Sequence, residues 1–484
     1  MSLAQLAPQP LWNHFQELCD RPRPSKHERL VIDYLRDFAA RHGLAFLQDE
    51  VGNVVLKKPA SAGMEKARAI AMQCHIDMVP QKRNDIDHDF FKDPIRPVVD
   101  GNIVRATGTT LGADNGIGVA AMLAVLESQD LSHGPLEALF TIDEEAGMSG
   151  AKGLDSQILD ANILFNLDSE DEGELYVGCA GGVDVTLDCP MTTLPTYGEL
   201  RAFKLHVSGL RGGHSGIDIH LGRGNANLML AELLLRLRAQ FDISVVDIQG
   251  GTLRNAIPRD ARASILVPTR HAEAVAQCIS AYREEQEKRF ADTESALSLS
   301  VEEADVAERY YDPSQIDSLL RALLATPNGV LERHPEHADI IQTSSNLAIV
   351  KSLPGMIQVQ CLVRSAENAA KYRAGRDIAA VYDELSPAVR VDGAYSGWRP
   401  NMDSPVLAQM AELYARDVGI KPEIKVIHAG LECGILGGIY PHLDMISFGP
   451  TIRCAHSPDE YVEIDSVARF WDFLCKALTE VASA

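Results

Sequence analysis

The chain has 484 residues, 46% of them hydrophobic, enough for about three domains or for two with one enlarged. Its 45 Lys and Arg against 68 Asp and Glu leave a formal charge of −23, which argues against a nucleic-acid footprint, because that requires clustered basic residues on one face. The longest apolar run, at 119–126, falls far short of the ~18 residues of a membrane span. The opening MSLAQLAPQPLWNHFQELC shows neither a basic n-region nor an apolar h-region. The nine cysteines contain no CxxC pair, which suits reduced thiols better than a disulfide framework. The expectation is a cytoplasmic globular protein.

Taken in chain order, residues 11–168 alternate helical and strand-like stretches. A helix is expected at 30–41, strands at 51–58 and 67–74, an apolar helix at 116–128, and strands at 136–142 and 161–167. Such alternation predicts an α/β sheet covered by helices. The middle of the chain changes character: strand 203–209, helix 225–241, strands 243–250 and 260–267, helix 271–290 and strand 297–303 follow the β-α-β-β-α-β order of a ferredoxin-like unit. A related order recurs from Ser314, with a hairpin expected around Asn346, strand 356–363, a helix at 366–385 and a short strand. TLRN (252–255) and TSSN (343–346) each precede a strand and suggest a faint internal repeat. After about Asp392 the α/β pattern returns, with a helix at 406–417, strands at 423–429 and 444–450, and an amphipathic terminal helix.

The expected organisation is therefore a catalytic α/β domain, 1–183 and 393–484, with a mixed sheet carrying helices on both faces. An inserted α+β lid at 184–392 interrupts it, in two ferredoxin-like halves of about 184–308 and 309–392.

The chemistry gathers at the C-terminal ends of the predicted strands. One ends in Cys74-His75-Ile76-Asp77, another runs into Asp143-Glu144-Glu145, a third into Asp168-Ser169-Glu170, and strand 444–450 leads through a short loop to His456. LGADNGIG sets Asp114 at the start of the apolar helix. Open α/β sheets bind ligands beyond their strand carboxyl ends, so His75, Asp114, Glu145, Asp168 and His456 are expected to converge. Each element has a bland reading alone: DNG is a turn sequence, a Glu pair often opens a helix, and Asp143 and Glu170 read as solvated acids. Their joint recurrence at strand ends favours a shared metal site. Two imidazoles and three carboxylates suit Zn²⁺, with Co²⁺ or Mn²⁺ as substitutes. Five side chains exceed what one catalytic zinc uses and fit two metals sharing a carboxylate. Either glutamate of the pair could then ligate while its neighbour serves as base.

The motifs AMQCHIDMVP, GTTLGADNGIG, IDEEAGMSGA, NLDSEDEGELYVGCAGG, GGHSGIDIH, GGTLRNAIPR, HAGLECG and GPTIRCAHSPDE resemble those of the aminoacyl-histidine dipeptidase branch of the di-zinc peptidases. That group also holds carboxypeptidase G, aminoacylase, succinyl-diaminopimelate desuccinylase and the carnosinases. The resemblance covers essentially the whole chain. It implies two Zn²⁺ per chain bridged by Asp114, with His75 and Asp168 on one and Glu145 and His456 on the other. It implies further that Asp77 orients His75, that Glu144 is the general base acting on a metal-bridging water, and that a cis peptide follows Asp114. His214 in GGHSG would stabilise the oxyanion, and Arg364, Asn255 and the backbone at Gly430 would capture the substrate carboxylate. Glu432 is a candidate partner for the substrate ammonium, with a purely structural role as the equal alternative.

In simpler relatives, the resemblance implies, a shorter lid dimerises and lends its histidine to the partner's site. Two lid halves in one chain would supply His214 in cis, so the active site is expected to be complete within one chain, with or without a homodimer. The leading expectation is a hydrolase of dipeptides, including Xaa-His and carnosine-like ones. The alternative is a deacylase or desuccinylase of N-acyl amino acids on the same architecture. A nucleotide-binding role for Gly178, Gly181 and Gly182 lacks the GxxxxGK[ST] phosphate cradle. No nucleic-acid or membrane partner is expected.

Overall fold

The structure, a computed structural model, describes residues 2–483. The chain forms two compact units, one from Met1–Gly178, Trp398–Val426 and Leu431–Ala484, the other from Cys179–Gly397 and Ile427–Gly430. The inserted block thus begins at Cys179 rather than 184 and returns at Gly397 rather than 392. It also claims Ile427–Gly430. Among the described residues no helix is long and apolar enough to cross a membrane.

The first unit is built on an eight-stranded mixed sheet. At its centre Leu136–Thr141, Ile70–His75, Ile163–Asn166 and Asp444–Ser447 lie side by side and parallel. The first three are buried along their whole length, which explains why they read as unbroken apolar runs rather than alternating ones. Val54–Lys58 and Ala45–Gln48 extend one flank antiparallel. Helix Ala113–Glu127 is apolar on every side and buried from Asn115 to Leu126. At Gly118 a Cβ would lie 2.6 Å from Cys74 Sγ and 2.7 Å from the Leu167 carbonyl, so only glycine lets this helix seat against the strand ends. The terminal helix Ile464–Ser483 buries a stripe through Val467, Phe470, Leu474 and Leu478.

The second unit carries a nine-stranded antiparallel sheet. One group follows the expected β-α-β-β-α-β order: Leu200–Ser208, helix Ala226–Gln240, Ser244–Gly250, Ala261–Pro268, helix Ala272–Arg289 and Ser298–Ala304. Its strands sit in the order fourth, first, third, second, the ferredoxin-like arrangement.

The second group has the same order but is not contiguous. Its first strand is Gly181–Pro190, which pairs with both Met356–Ser365 and Ala388–Tyr395. Helix Pro313–Ala325, Ile341–Leu353 and helix Asn368–Val381 complete it. The halves expected at 184–308 and 309–392 are therefore corrected: the first group is nested inside the second. The cause is the alternating face of Val183, Val185, Leu187 and Cys189, all fully buried, which fills the gap between two strands far downstream. The two groups join where Gln249 and Gly250 pair with Lys351 and Val350.

Two further expectations change. Asn346 lies inside strand Ile341–Leu353, and the hairpin turns instead after Leu353, before Met356. TLRN lies in the connection between two strands, whereas TSSN lies within one, so the two motifs do not occupy equivalent positions. Gly181 and Gly182 belong to a strand whose missing side chains admit the backbone and ring of Tyr395, a packing role rather than a phosphate cradle.

Candidate active site

Because the four central strands of the first unit are parallel, their C-terminal ends open on one edge. His75 is the last residue of its strand, Glu144 and Glu145 open the short helix after Thr141, Asp168 follows Asn166, and Asp114 stands in the first turn of helix Ala113–Glu127. His456 reaches the same place with a positive φ of 62°.

The side chains converge. His75 Nε2 lies 3.1 Å from Asp114 Oδ1 and 3.3 Å from Asp168 Oδ1. His456 Nε2 lies 3.2 Å from the other Asp114 oxygen, Oδ2, and 3.0 Å from Glu145 Oε2. Donor atoms of His75, Asp114 and Asp168 form one compact group, and those of Asp114, Glu145 and His456 another. Asp114 belongs to both, with a different oxygen turned to each. A third group joins His75, Glu144 and Glu145. The Asp114–Asn115 peptide is cis, and the Asn115 amide donates to Asp168.

A second layer fixes these groups. Asp77 Oδ1 lies 3.3 Å from His75 Nδ1, and its carboxylate accepts the backbone N–H groups of Glu144 and Glu145 and the Ser25 hydroxyl. One buried carboxylate therefore orients the histidine and both glutamates. Arg23, 2% exposed, donates to the carbonyls of Ile76, Asp77 and Gly112. Glu28 accepts the Asp143 N–H.

Glu460, which the sequence reading passed over, caps the start of the Asp114 helix. Its two oxygens accept the N–H groups of Leu111, Gly112, Ala113 and Asp114 at 2.7–3.3 Å, satisfying donors that a helix start leaves open. Glu460→Ala strands those buried donors and is expected to cost on the order of 3 kcal/mol, read as a lower Tm by calorimetry. An unchanged Tm would contradict the capping role.

Two sequence expectations are corrected here, and the open choice at Glu432 narrows. Asp143 is 3% exposed, with a carboxylate that receives the Ser149 hydroxyl at 2.5 Å, so it is not a solvated acid. Nor is Glu170: burial, with Asp114 and Asp168 nearby, pushes its carboxyl up to about 8. Glu432 is fully buried, and its Oε2 receives Gln73 Nε2 and Thr141 Oγ1, each at 2.6 Å. Those two residues stand on adjacent strands, so Glu432 braces the floor of the site, in keeping with the structural one of its two readings.

The donor set fits divalent cations. Asp114, Glu144, Glu145 and Asp168 crowd one largely buried space with two imidazoles. Burial, reinforced by Asp168, Glu432 and Glu145, holds the Glu144 carboxyl well above the ordinary range. Glu145 Oε1 is buried without a hydrogen-bond partner, and an orphaned carboxylate oxygen of this kind is costly unless a cation meets it.

The second unit, by itself, gathers His214, Asn255 and Arg364. His214 pairs in a short ladder with Ala256, the neighbour of Asn255, and the Asn255 carbonyl accepts the Ser215 N–H at 2.8 Å. Arg364, 5% exposed, donates to Tyr395 Oη at 2.8 Å and lies 3.4 Å from His214 Nε2. His428, in the same motif as Gly430, holds Ser344 Oγ at 2.7 Å. Gly216 rests on this segment so closely that a Cβ would fall 1.9 Å from the His428 carbonyl.

Burial and the Arg364 guanidinium lower His214 to about 4 and His428 to about 3. An unfolded histidine titrates near 6.5. As pH falls from about 6.5 to about 4, the unfolded chain takes up protons that the fold refuses, so stability present above that window is lost through it. Melting curves of the parent and of His428→Asn, compared across this range, test the histidine's share: the difference in stability between them is expected to shrink as pH falls.

The chain matches the model of peptidase family M20/M25/M40 over residues 71–480. It is 43% identical over 479 residues to the cytosol non-specific dipeptidase of Escherichia coli (strain K12), covering 99% of each chain. The crystal structure of aminoacylhistidine dipeptidase from Vibrio alginolyticus matches it with a TM-score of 0.91 at 42% identity, covering 100% of this chain and 98% of that one. Aminopeptidase PepT from Bacillus cereus shares the fold, with a TM-score of 0.57 and 16% identity over 99% of both chains. With a family match across most of its length and a relative this similar along all of it, the chain belongs to peptidase family M20/M25/M40.

Proposed function

We propose that this chain is a cytosolic metal-dependent dipeptidase holding two divalent cations, zinc in first place, and cleaving dipeptides that include Xaa-His and carnosine-like ones. The observation that supports it most is Asp114, whose two oxygens face two different histidines in two separate donor groups. His75 and Asp168 would hold one cation, Glu145 and His456 the other, and Asp114 both. Bound there, the cations would supply Lewis-acid chemistry, polarising the scissile carbonyl and acidifying the attacking water.

The chain's own groups do the rest. Glu144, set beside the donor groups by its N–H bond to Asp77, accepts the water proton at its carboxylate and returns it to the leaving amine. Asp77 keeps His75 and both glutamates in place. His214, neutral at working pH because burial lowers it to about 4, donates a ring N–H to the developing oxyanion. Arg364, with Asn255 and the backbone at Gly430, takes the substrate carboxylate, which limits the substrate to a dipeptide. Arg364→Ala is expected to lower kcat/KM for free dipeptides roughly 100-fold, mainly through KM; steady-state kinetics on one dipeptide series decide it.

All catalytic groups come from one chain in this reading. Mixing Glu144→Gln with His214→Ala chains is therefore expected to restore no activity, and recovery after subunit exchange would refute it. The reaction itself is tested by a dipeptide panel with N-acetyl amino acids as controls, on zinc-reconstituted protein. Hydrolysis of free dipeptides alone is expected. Turnover of the N-acetyl controls with no dipeptide cleavage would make the protein a deacylase.

A further inference from the structure

We propose that Ser344 and Asn346 of the TSSN segment are positioning residues for substrate-carboxylate recognition, each fixing a different part of that site. The proposal rests on the reading of Arg364, Asn255 and Gly430 as the groups that receive the carboxylate.

Residues two apart on a strand share a face, so Ser344 and Asn346 point the same way from Ile341–Leu353. Directly across the ladder Ser344 pairs with Arg364 and Asn346 with Leu362, which puts the arginine beside Ser344 on that face. Both residues are 1% exposed, so neither meets solvent, and Ser344 Oγ and Asn346 Nδ2 are spent on particular partners, while Asn346 Oδ1 is buried without one.

Ser344 Oγ meets His428 Nε2 at 2.7 Å. His428 is two residues before Gly430 and is itself buried, so this bond fixes the segment from which the Gly430 backbone is presented. The Gly216 contact with the His428 carbonyl then ties the His214 loop to the same segment.

Asn346 acts on the other side. Its Nδ2 donates to the carbonyls of Arg254 at 3.1 Å and Ala256 at 2.8 Å, the two residues flanking Asn255. The Arg254 side chain reaches Asp184 at 2.7 Å, Gln360 Oε1 at 2.9 Å and Thr186 Oγ1 at 3.0 Å. A loop that belongs to the nested strand group is thus held on the strands of the outer group. With both neighbouring carbonyls held and its own carbonyl taken by Ser215, Asn255 has its backbone fixed. The segment aligns three recognition elements from one strand: Arg364 as ladder neighbour, Gly430 through His428, and Asn255 through its flanking carbonyls.

The test compares a reduced-amide dipeptide isostere bearing a free carboxylate with its C-terminal carboxamide, both as competitive inhibitors of zinc-loaded protein. Ser344→Ala and Asn346→Ala are each expected to weaken the carboxylate form about tenfold while the carboxamide keeps its inhibition constant. Ser344→Thr, which keeps the hydroxyl, is expected to restore the preference. Arg364→Met is measured beside them. If it loses the preference while the Ser344 and Asn346 variants keep it, or weaken both inhibitors equally, the positioning proposal is overturned and the carboxylate reading survives. If Arg364→Met keeps the preference, the carboxylate reading fails and takes the proposal with it. Should Asn346→Ala not fold, Ser344→Ala, which deletes one hydroxyl, decides the question.

Discussion

Glu144→Gln is expected to keep the fold and the metal while kcat falls by about 10²–10⁴-fold, the span a positioned general base supplies. The amide preserves the size of the side chain but cannot take a proton. Its backbone N–H stays bound to Asp77, and the preceding residue stays bound to Glu28, so the site around it has no reason to move. Metal content by mass spectrometry and single-turnover kinetics on a dipeptide check the two halves separately. A variant that loses its metal would make Glu144 a ligand, and one within tenfold of the parent would remove it from the proton transfer.

The second large effect belongs to Asp114. Its two oxygens serve both donor groups, so Asp114→Ala leaves each without its shared member. Loss of both cations after dialysis and a fall in kcat/KM of at least roughly 10³-fold are expected. Asp168→Ala or Glu145→Ala removes one member of one group and is expected to spare at least one cation. The Glu460 cap survives the change at Asp114, because it binds backbone N–H groups and not the side chain. Metal loss in this variant therefore reads the side chain alone. If Asp114→Ala binds as much metal as Asp168→Ala, the bridging role is wrong.

The site was legible in the sequence where local patterns report on a shared geometry. Strands buried on both faces stand out as unbroken apolar runs, and once they are parallel their last residues must meet at one edge. His75, Glu145 and Asp168 follow from that, and Asp114 and His456 from a helix start and a loop near the same edge.

Less legible was everything decided by partners far away in the chain. VDVTLDC is not among the strands expected from the sequence, and nothing in it says that its neighbours are residues 356–365 and 388–395, so the nesting of the two strand groups stayed hidden. Glu460 and Arg23 act on backbone groups, which leave no trace in side-chain patterns. Asp143, Glu170 and Glu432 illustrate the converse: an acid near a strand end or helix start looks solvated or catalytic until its burial and its partners are known. The second unit shows both cases. GGHSG marks a loop worth notice, whereas the bond between Ser344 and His428 joins residues 84 positions apart.

The most direct test of the central claim is a zinc titration of metal-stripped protein, following both bound metal and hydrolysis of a free dipeptide. Binding that saturates at two equivalents per chain, with dipeptide cleavage appearing only as the metal is restored and ending with Asp114→Ala, is the predicted result. Saturation at one equivalent, full activity without metal, or a fully loaded protein that cleaves no free dipeptide would contradict it.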